Sequence, residues 1–313
     1  MAGMGPGTPA LAEAVAGAGA LGTISFTYLG RAKRASATLD ALAAKRAGAL
    51  AVNFLMPVLD LEILEVAAAR VRVIDLFWGD PDEDVVQRVH DGGALALWQV
   101  GSLDEARRAV DCGVDIIVAQ GTDAGGHVRG HQPTFELLVQ TLDTLEGTGV
   151  PILASGGFGT GRQIAAALGA GAAGVNVGTR LVATAESGAH HEYVQALVQA
   201  KDADESVATS EFAVSCPLCP STHRVLRSAL EAAHNFNGDV LGTMEVRGES
   251  VQLPPFFGPP PTPTTSGRID AMALYAGRGV SYCRGGQTGA SVITELAADA
   301  ERILRNASSQ LHK

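Results

Sequence analysis

PILASGGFGTGRQIAAALGAGAAGVNVG, residues 151–178, is one turn of the pattern that sets the architecture. An apolar run, Pro151–Ser155, leads into a glycine-rich turn, a helical stretch follows, and Gly169-Ala-Gly-Ala-Ala-Gly174 opens into the next apolar run, Gly174–Gly178. The same order recurs upstream. Candidate strands are Leu21–Phe26, Leu50–Leu55, Val71–Phe77, Ala94–Val100 and Ile116–Gln120, with helical patterns between them. Each run is β-branched or apolar on both faces, as a strand buried between helices requires. Strict alternation with right-handed crossovers leaves a doubly wound sheet or a closed barrel. Seven strands are counted, whereas a barrel has eight. Met1–Pro6 reads as the loop that leaves a strand. The expected fold is therefore α/β, a (β/α)8 TIM barrel lacking its first strand, in a sequence that starts late. The edges of the two neighbouring strands would then be unpaired or covered by something else.

Helix boundaries are marked locally. Thr8-Pro9 reads as an N-cap followed by a first-turn proline, and Ser102-Leu-Asp-Glu105 as a capping box. Gly17, Gly48, Gly92, Gly113 and Gly171 end helices. After Ala200 the alternation decays, and Leu253–Pro263 is proline-rich. The organisation expected is a barrel over 1–200, an excursion or lid over 201–268 and a C-terminal segment over 269–313. Helical patterning returns at Ser221–His234 and at Ser291–Asn306, the latter docking back on the barrel.

The chain has 313 residues, 46% hydrophobic and 18% charged, enough apolar content for a sizeable core. Its net charge of −10 and the absence of a Lys/Arg cluster exclude a nucleic-acid surface. No run of apolar residues is long enough to span a membrane, and the N-terminus lacks the charge pattern of a signal peptide. Four cysteines make no disulfide scaffold and fit a reducing cytoplasm. Cys216-Pro-Leu-Cys219 is a lone CxxC without a second pair or a nearby His-x3–5-His, so it reads as loop cysteines and no metal is expected. The low charge and Ala/Gly-rich surface permit a homodimer.

Two Gly-x-Gly-x-x-Gly runs, Gly17–Gly22 and Gly169–Gly174, imitate a dinucleotide fingerprint. That fingerprint must follow a strand and open a helix. Both runs here close a helix and enter a strand, so NAD is not expected there. Barrel chemistry sits instead in the turns after the strands. Ile116–Gln120 is followed by Gly121-Thr-Asp-Ala-Gly-Gly-His127, whose Gly125 and Gly126 let backbone approach a ligand. Gln120 can bond the edge of a planar heterocycle, and His127 can act as a general base near neutral pH; the plainer alternative is a solvated loop histidine. Gly156 and Gly157 in Ala154–Thr160, together with Asn176-Val177-Gly178-Thr179, are glycine- and hydroxyl-rich turns after the last two strands. They can hold a phosphate on backbone amides without a lysine. Asn53 ends a strand on the same face and must find polar partners. His90, His190, His191, His223, His234 and His312 lack such surroundings and read as solvated, while His131 stays open.

These blocks resemble the nitronate monooxygenase family, once called 2-nitropropane dioxygenases, which are FMN-dependent barrels. Gln120–His127 is close to the family's Gln-Gly-x-Glu-Ala-Gly-Gly-His. Asn176–Arg180 stands where the family often has Gln-Met-Gly-Thr-Arg, and the likeness resumes at Met272–Gly279. Asp123 replaces the usual Glu, and 205–265 has no recognised counterpart. The resemblance implies that Asn53, Gln120, Gly125, Gly126, Gly156, Gly157, Asn176, Val177, Gly178 and Thr179 bind FMN, with His127 the catalytic base. It implies a flavin-dependent oxidoreductase that uses O2 to convert an alkyl nitronate or nitroalkane into a carbonyl compound and nitrite. Alternatives on the same scaffold are NAD(P)H-dependent reduction of a quinone or an enoyl thioester, and a non-catalytic flavin-binding remnant.

Overall fold

The computed structural model describes residues 1–45, 48–246 and 249–311; His312 therefore lies outside the described residues. Seven parallel strands curl into one sheet, β1 (Gly22–Ser25), β2 (Leu50–Leu55), β3 (Val73–Phe77), β4 (Leu95–Val100), β5 (Ile116–Gln120), β7 (Ile152–Ser155) and β8 (Gly174–Asn176). They lie side by side in chain order. A short strand β6 (Gly126–His127) stands outside this sheet. The helices α1 (Pro9–Gly17), α2 (Ala32–Ala44), α3 (Leu61–Ala68), α4 (Glu83–Asp91), α5 (Leu103–Asp111), α6 (Thr134–Thr144) and α7 (Gly161–Gly169) alternate with the strands. This is the incomplete TIM-type barrel expected from the alternation.

The gap between β1 and β8 is occupied by the first residues of the chain. The Ala2 amide donates to the Val177 carbonyl (3.0 Å), and the Met1 amino group donates to the Leu21 carbonyl (2.9 Å). The Thr23 hydroxyl donates to the Met1 carbonyl, also at 2.9 Å. The flanking strand edges are thus covered by main chain.

Local signals act as their chemistry dictates. The Thr8 hydroxyl caps α1 by accepting from the Leu11 amide. Both imitation fingerprints close a helix and enter a strand, α1 into β1 and α7 into β8. The Ser102 box is only half formed: Ser102 accepts from the Glu105 amide, but the Glu105 carboxylate reaches past it to the Gly101 amide and to Arg129. A complete capping box stands at Thr160 and Gln163.

Beyond the sheet come α8 (Thr179–Val182), α9 (His191–Gln199), β9 (Ser206–Thr209), β10 (His223–Leu226) and α10 (Arg227–His234). They are followed by β11 (Gly242–Val246), β12 (Glu249–Leu253), β13 (Ser266–Gly267) and α11 (Gly289–Leu311). The helix expected from Ser221 begins only at Arg227, because the alternating His223–Leu226 pairs antiparallel with both β9 and β6. That pairing ties the excursion to the turn after β5. The last helix buries Val292, Leu296 and Ala300 against Leu11 and Val15 of α1 and Ile164 of α7. No described helix is long and apolar enough to cross a membrane.

Candidate active site

The strand ends surround one cavity of about 360 Å³, a size suited to a small ligand or cofactor. Asn53 of β2, Gln99 of β4, Gln120 of β5, Ser155 of β7 and Asn176 of β8 line it. So do Gly125, Gly126 and His127 from the turn after β5, Gly156 and Gly157 from the turn after β7, and Gly178 and Thr179 after β8. Sequence-predicted residues from four separate strand ends thus meet at one place. Val177 is the exception. Its side chain turns away into the apolar cluster of Met1, Leu11 and Leu181, as alternation along an extended segment requires.

The wall carries unmet hydrogen-bonding capacity. Gln120 Nε2 donates to the His127 carbonyl (3.1 Å), while its buried Oε1 has no partner. A buried acceptor left without a donor is costly, so a ligand donor here would relieve it. The amides of Gly157, Gly178 and Thr179 likewise meet no acceptor among the described residues. Gly156 and Gly157 hold φ of 121° and 77°, a region glycine enters without strain. Among the described residues no Lys or Arg lines the cavity, so an anion there would rest on amides. Arg180, next to this turn, points elsewhere. It is buried, donates to the Gly159 carbonyl (2.7 Å) and to Gln287 Oε1 (3.0 Å), and pairs with Glu295 of α11 at 3.4 Å. Beneath the wall, Asn53 Nδ2 donates to the Asp75 carbonyl, and burial pushes the Asp75 carboxyl up to about 7.

His127 is half-buried, with its ring between Trp78, Tyr275 and His223 at centroid distances of 5.7, 5.5 and 5.2 Å. Burial, aided by the neighbouring His223, pulls its pKa down to about 4. Its Nε2 lies 3.1 Å from Cys216 Sγ. Burial also pushes the Cys216 thiol up to about 12, keeping it protonated.

Several residues here escape sequence reasoning. His223, read as solvated, is fully buried; the strand pairing with β6 brings it to His127. His190, also read as solvated, is buried too and caps α9 by accepting from the Glu192 amide. Cys216 was visible as half of a CxxC, but its position on the cavity wall was not. Gln99 could have been found by the same rule as Gln120, a polar side chain near the end of an apolar strand. Tyr275 carried no signal beyond the family-like segment around it; its hydroxyl donates to the Gly258 carbonyl at 2.6 Å.

The profile of the nitronate monooxygenase family matches residues 31–216, more than half of the chain. A nitronate monooxygenase of Metarhizium robertsii is 39% identical over 121 residues, 37% of this chain and 34% of the relative. A (3aS,4S,5R,7aS)-5-hydroxy-7a-methyl-1-oxo-octahydro-1H-indene-4-carboxyl-CoA dehydrogenase of Mycobacterium tuberculosis is 37% identical over 150 residues, 48% of this chain and 40% of that one. The matched stretches thus span well under half the length of these curated relatives. Among solved structures, nitroalkane oxidase from Streptomyces ansochromogenes superposes with a TM-score of 0.75 at 25% identity, covering 98% of this chain and 96% of its own. Cavity, turns and family profile agree: the chain belongs to the nitronate monooxygenase family.

Proposed function

We propose that this chain holds FMN in the cavity and oxidises alkyl nitronates, or the nitroalkanes that give rise to them, with O2 to a carbonyl compound and nitrite. The observation that carries the reading is the convergence of His127, Gly157 and Gly178, from three separate turns, on one cavity beside the unpartnered Gln120 Oε1. The residues fit a flavin mononucleotide. Asn53, Gln120 and Asn176 offer donors and acceptors to the edge of a planar ring. The free amides of Gly157, Gly178 and Thr179 suit a phosphate. A Cβ on Gly178 would meet only Ala2 Cβ, at 3.6 Å, so space is open there. When bound, the flavin supplies the electron acceptor, and the protein supplies orientation and a dry site.

Desolvation keeps the His127 imidazole neutral, so it is ready to take the α-proton of a neutral nitroalkane. A preformed nitronate has already lost that proton and does not need the base. Cys216 stays a thiol and acts as a hydrogen-bond partner, not a nucleophile. The buried Phe77 and Leu218 give the cavity an apolar wall that would limit water around a bound substrate.

The purified protein is expected to show a flavin spectrum and to consume O2 with a nitronate. His127→Asn is expected to depress nitroalkane turnover by about 100-fold or more, the usual worth of a general base, and nitronate turnover far less. Equal loss on both substrates would remove the proton-abstraction role. The acyl-CoA named for the Mycobacterium relative makes a thioester reductase the rival. Rapid anaerobic bleaching by NADH would decide for that rival.

A further inference from the structure

His127 and His223 face one another directly across the β6–β10 pair, and the CxxC turn closes over them. Cys216 Sγ lies 3.1 Å and Cys219 Sγ 3.6 Å from His127 Nε2. One donor atom each from His127, Cys219 and His223 falls within 4.8 Å of the others. Three donors thus cluster mutually, from two segments distant in sequence, 127 and 219–223, and Cys216 approaches the group through His127.

The second observation is the state of His223. The residue is 0% exposed, and its Nε2 is buried without any partner. Its Nδ1 lies 3.2 Å from the Ser221 carbonyl, which can only accept. Nδ1 must therefore carry the proton, which leaves a bare lone pair on Nε2. Metal-ligating histidines show this arrangement, one ring nitrogen donating to a backbone carbonyl and the other free to coordinate. Zinc bound to sulfur at about 2.3 Å and to nitrogen at about 2.0–2.1 Å in a tetrahedron spaces its ligands about 3.3–3.8 Å apart. The two sulfur distances to His127 sit close to that spacing, before any adjustment by the side chains.

We propose that His127, Cys216, Cys219 and His223 form a two-cysteine, two-histidine site for a thiophilic divalent cation of the zinc type, set in the wall of the cavity. Binding replaces two S–H bonds with two metal–sulfur bonds, and the two protons leave to solvent with no change of oxidation state. His223 follows Cys219 by four residues, and strand pairing brings His127 to both. If His127 is also the base of the proposed reaction, the cation occupies its Nε2 and restrains nitroalkane turnover. That consequence rests on the functional proposal; the site itself does not.

The test is titration of the full-length, reduced, chelator-treated protein with Co2+, followed by displacement with Zn2+. The expected result is one equivalent showing the visible ligand-field bands of tetrahedral cobalt and a near-ultraviolet sulfur-to-metal band. Cys219→Ser and His223→Gln should each weaken binding by at least about 100-fold, the upper cost of losing even an outer-shell partner. Tetrahedral bands that persist unchanged in Cys219→Ser, or an octahedral spectrum, would overturn the site; the latter fits the group of buried His190 with exposed His191 and Glu192. Near-ultraviolet circular dichroism distinguishes lost ligation from lost folding. Turnover of the flavin-loaded protein is read separately: tight cobalt binding without inhibition of nitroalkane turnover sustains the site and overturns the base role of His127.

Discussion

Gly125 and Gly277 pack backbone against backbone. A Cβ on Gly125 would collide with the Gly277 amide nitrogen, and a Cβ on Gly277 would meet the Gly125 nitrogen at 2.7 Å. The contact is locked by the Arg278 amide, which donates to the Asp123 carbonyl (3.0 Å), and by the Gly277 amide, which donates to Thr179 Oγ1 (3.0 Å). The turn after β5, the turn after β8 and the segment leading to the last helix are thus held together at one glycine pair. Gly125 faces the cavity, yet its lack of a side chain is required by packing as much as by any ligand.

Gly125→Ala is therefore expected to cost about 1–3 kcal/mol through overpacking and to lose flavin together with stability. Gly178→Ala meets only Ala2 Cβ at 3.6 Å, so it should leave the melting temperature almost unchanged while weakening flavin retention. Thermal melts alongside flavin release measure both. Parallel loss in the two variants would remove the distinction between packing and cradle.

The depressed pKa of His127 sets a pH profile. An imidazole that titrates at about 4, not at its ordinary 6.5, stays a free base across the mildly acidic range. The acid limb of kcat/KM for a nitroalkane is expected well below pH 6.5; a limb near 6.5 would mean the ring is solvated in solution. The same shift acts on stability. The neutral form is favoured by the fold, so stability is complete above 6.5 and declines as pH falls toward 4. His223, also lowered by burial, adds to that decline.

Asp75 has the opposite sign. Burial raises its carboxyl from 3.8 to about 7, so the fold binds this proton more tightly than the unfolded chain does. Its contribution is complete below 3.8 and is lost as pH rises to about 7. Asp75→Asn should raise the melting temperature by several degrees at pH 8 and much less at pH 5. A gain independent of pH would show that the carboxylate is not the source.

Arg180 ties the turn after β8 to α11 through Gln287 and Glu295. Arg180→Met should cost about 3 kcal/mol, the scale for breaking a buried pair. Earlier proteolysis near the C-terminal helix would show where the stability is lost; an unchanged melting temperature would contradict the role.

All seven strands of the sequence reading end within two residues of those observed, and Leu50–Leu55 and Ile116–Gln120 coincide. The glycine turns at Gly156 and Gly178 and the polar ends at Asn53 and Gln120 were equally legible, because each follows from its immediate neighbours. The Val177 side chain faces away from the cavity because pleating turns alternate side chains to opposite faces, an alternation that the turn motif hides. His223 was missed although it follows Cys219 by four residues, because its burial comes from a ladder pairing with the distant His127.

By itself the sequence determined the alternating strands and helices, the glycine turns at the strand ends and the residue types offered there. These depend on hydrophobic periodicity and backbone freedom, which act over a few residues. Only the tertiary structure decided that Cys216, Cys219 and His223 meet His127, that Asp75 is sealed beneath Asn53, and that Gly125 must yield to Gly277. Such contacts depend on the register of strands and segments far apart in the chain, and burial then sets the protonation of whatever they enclose.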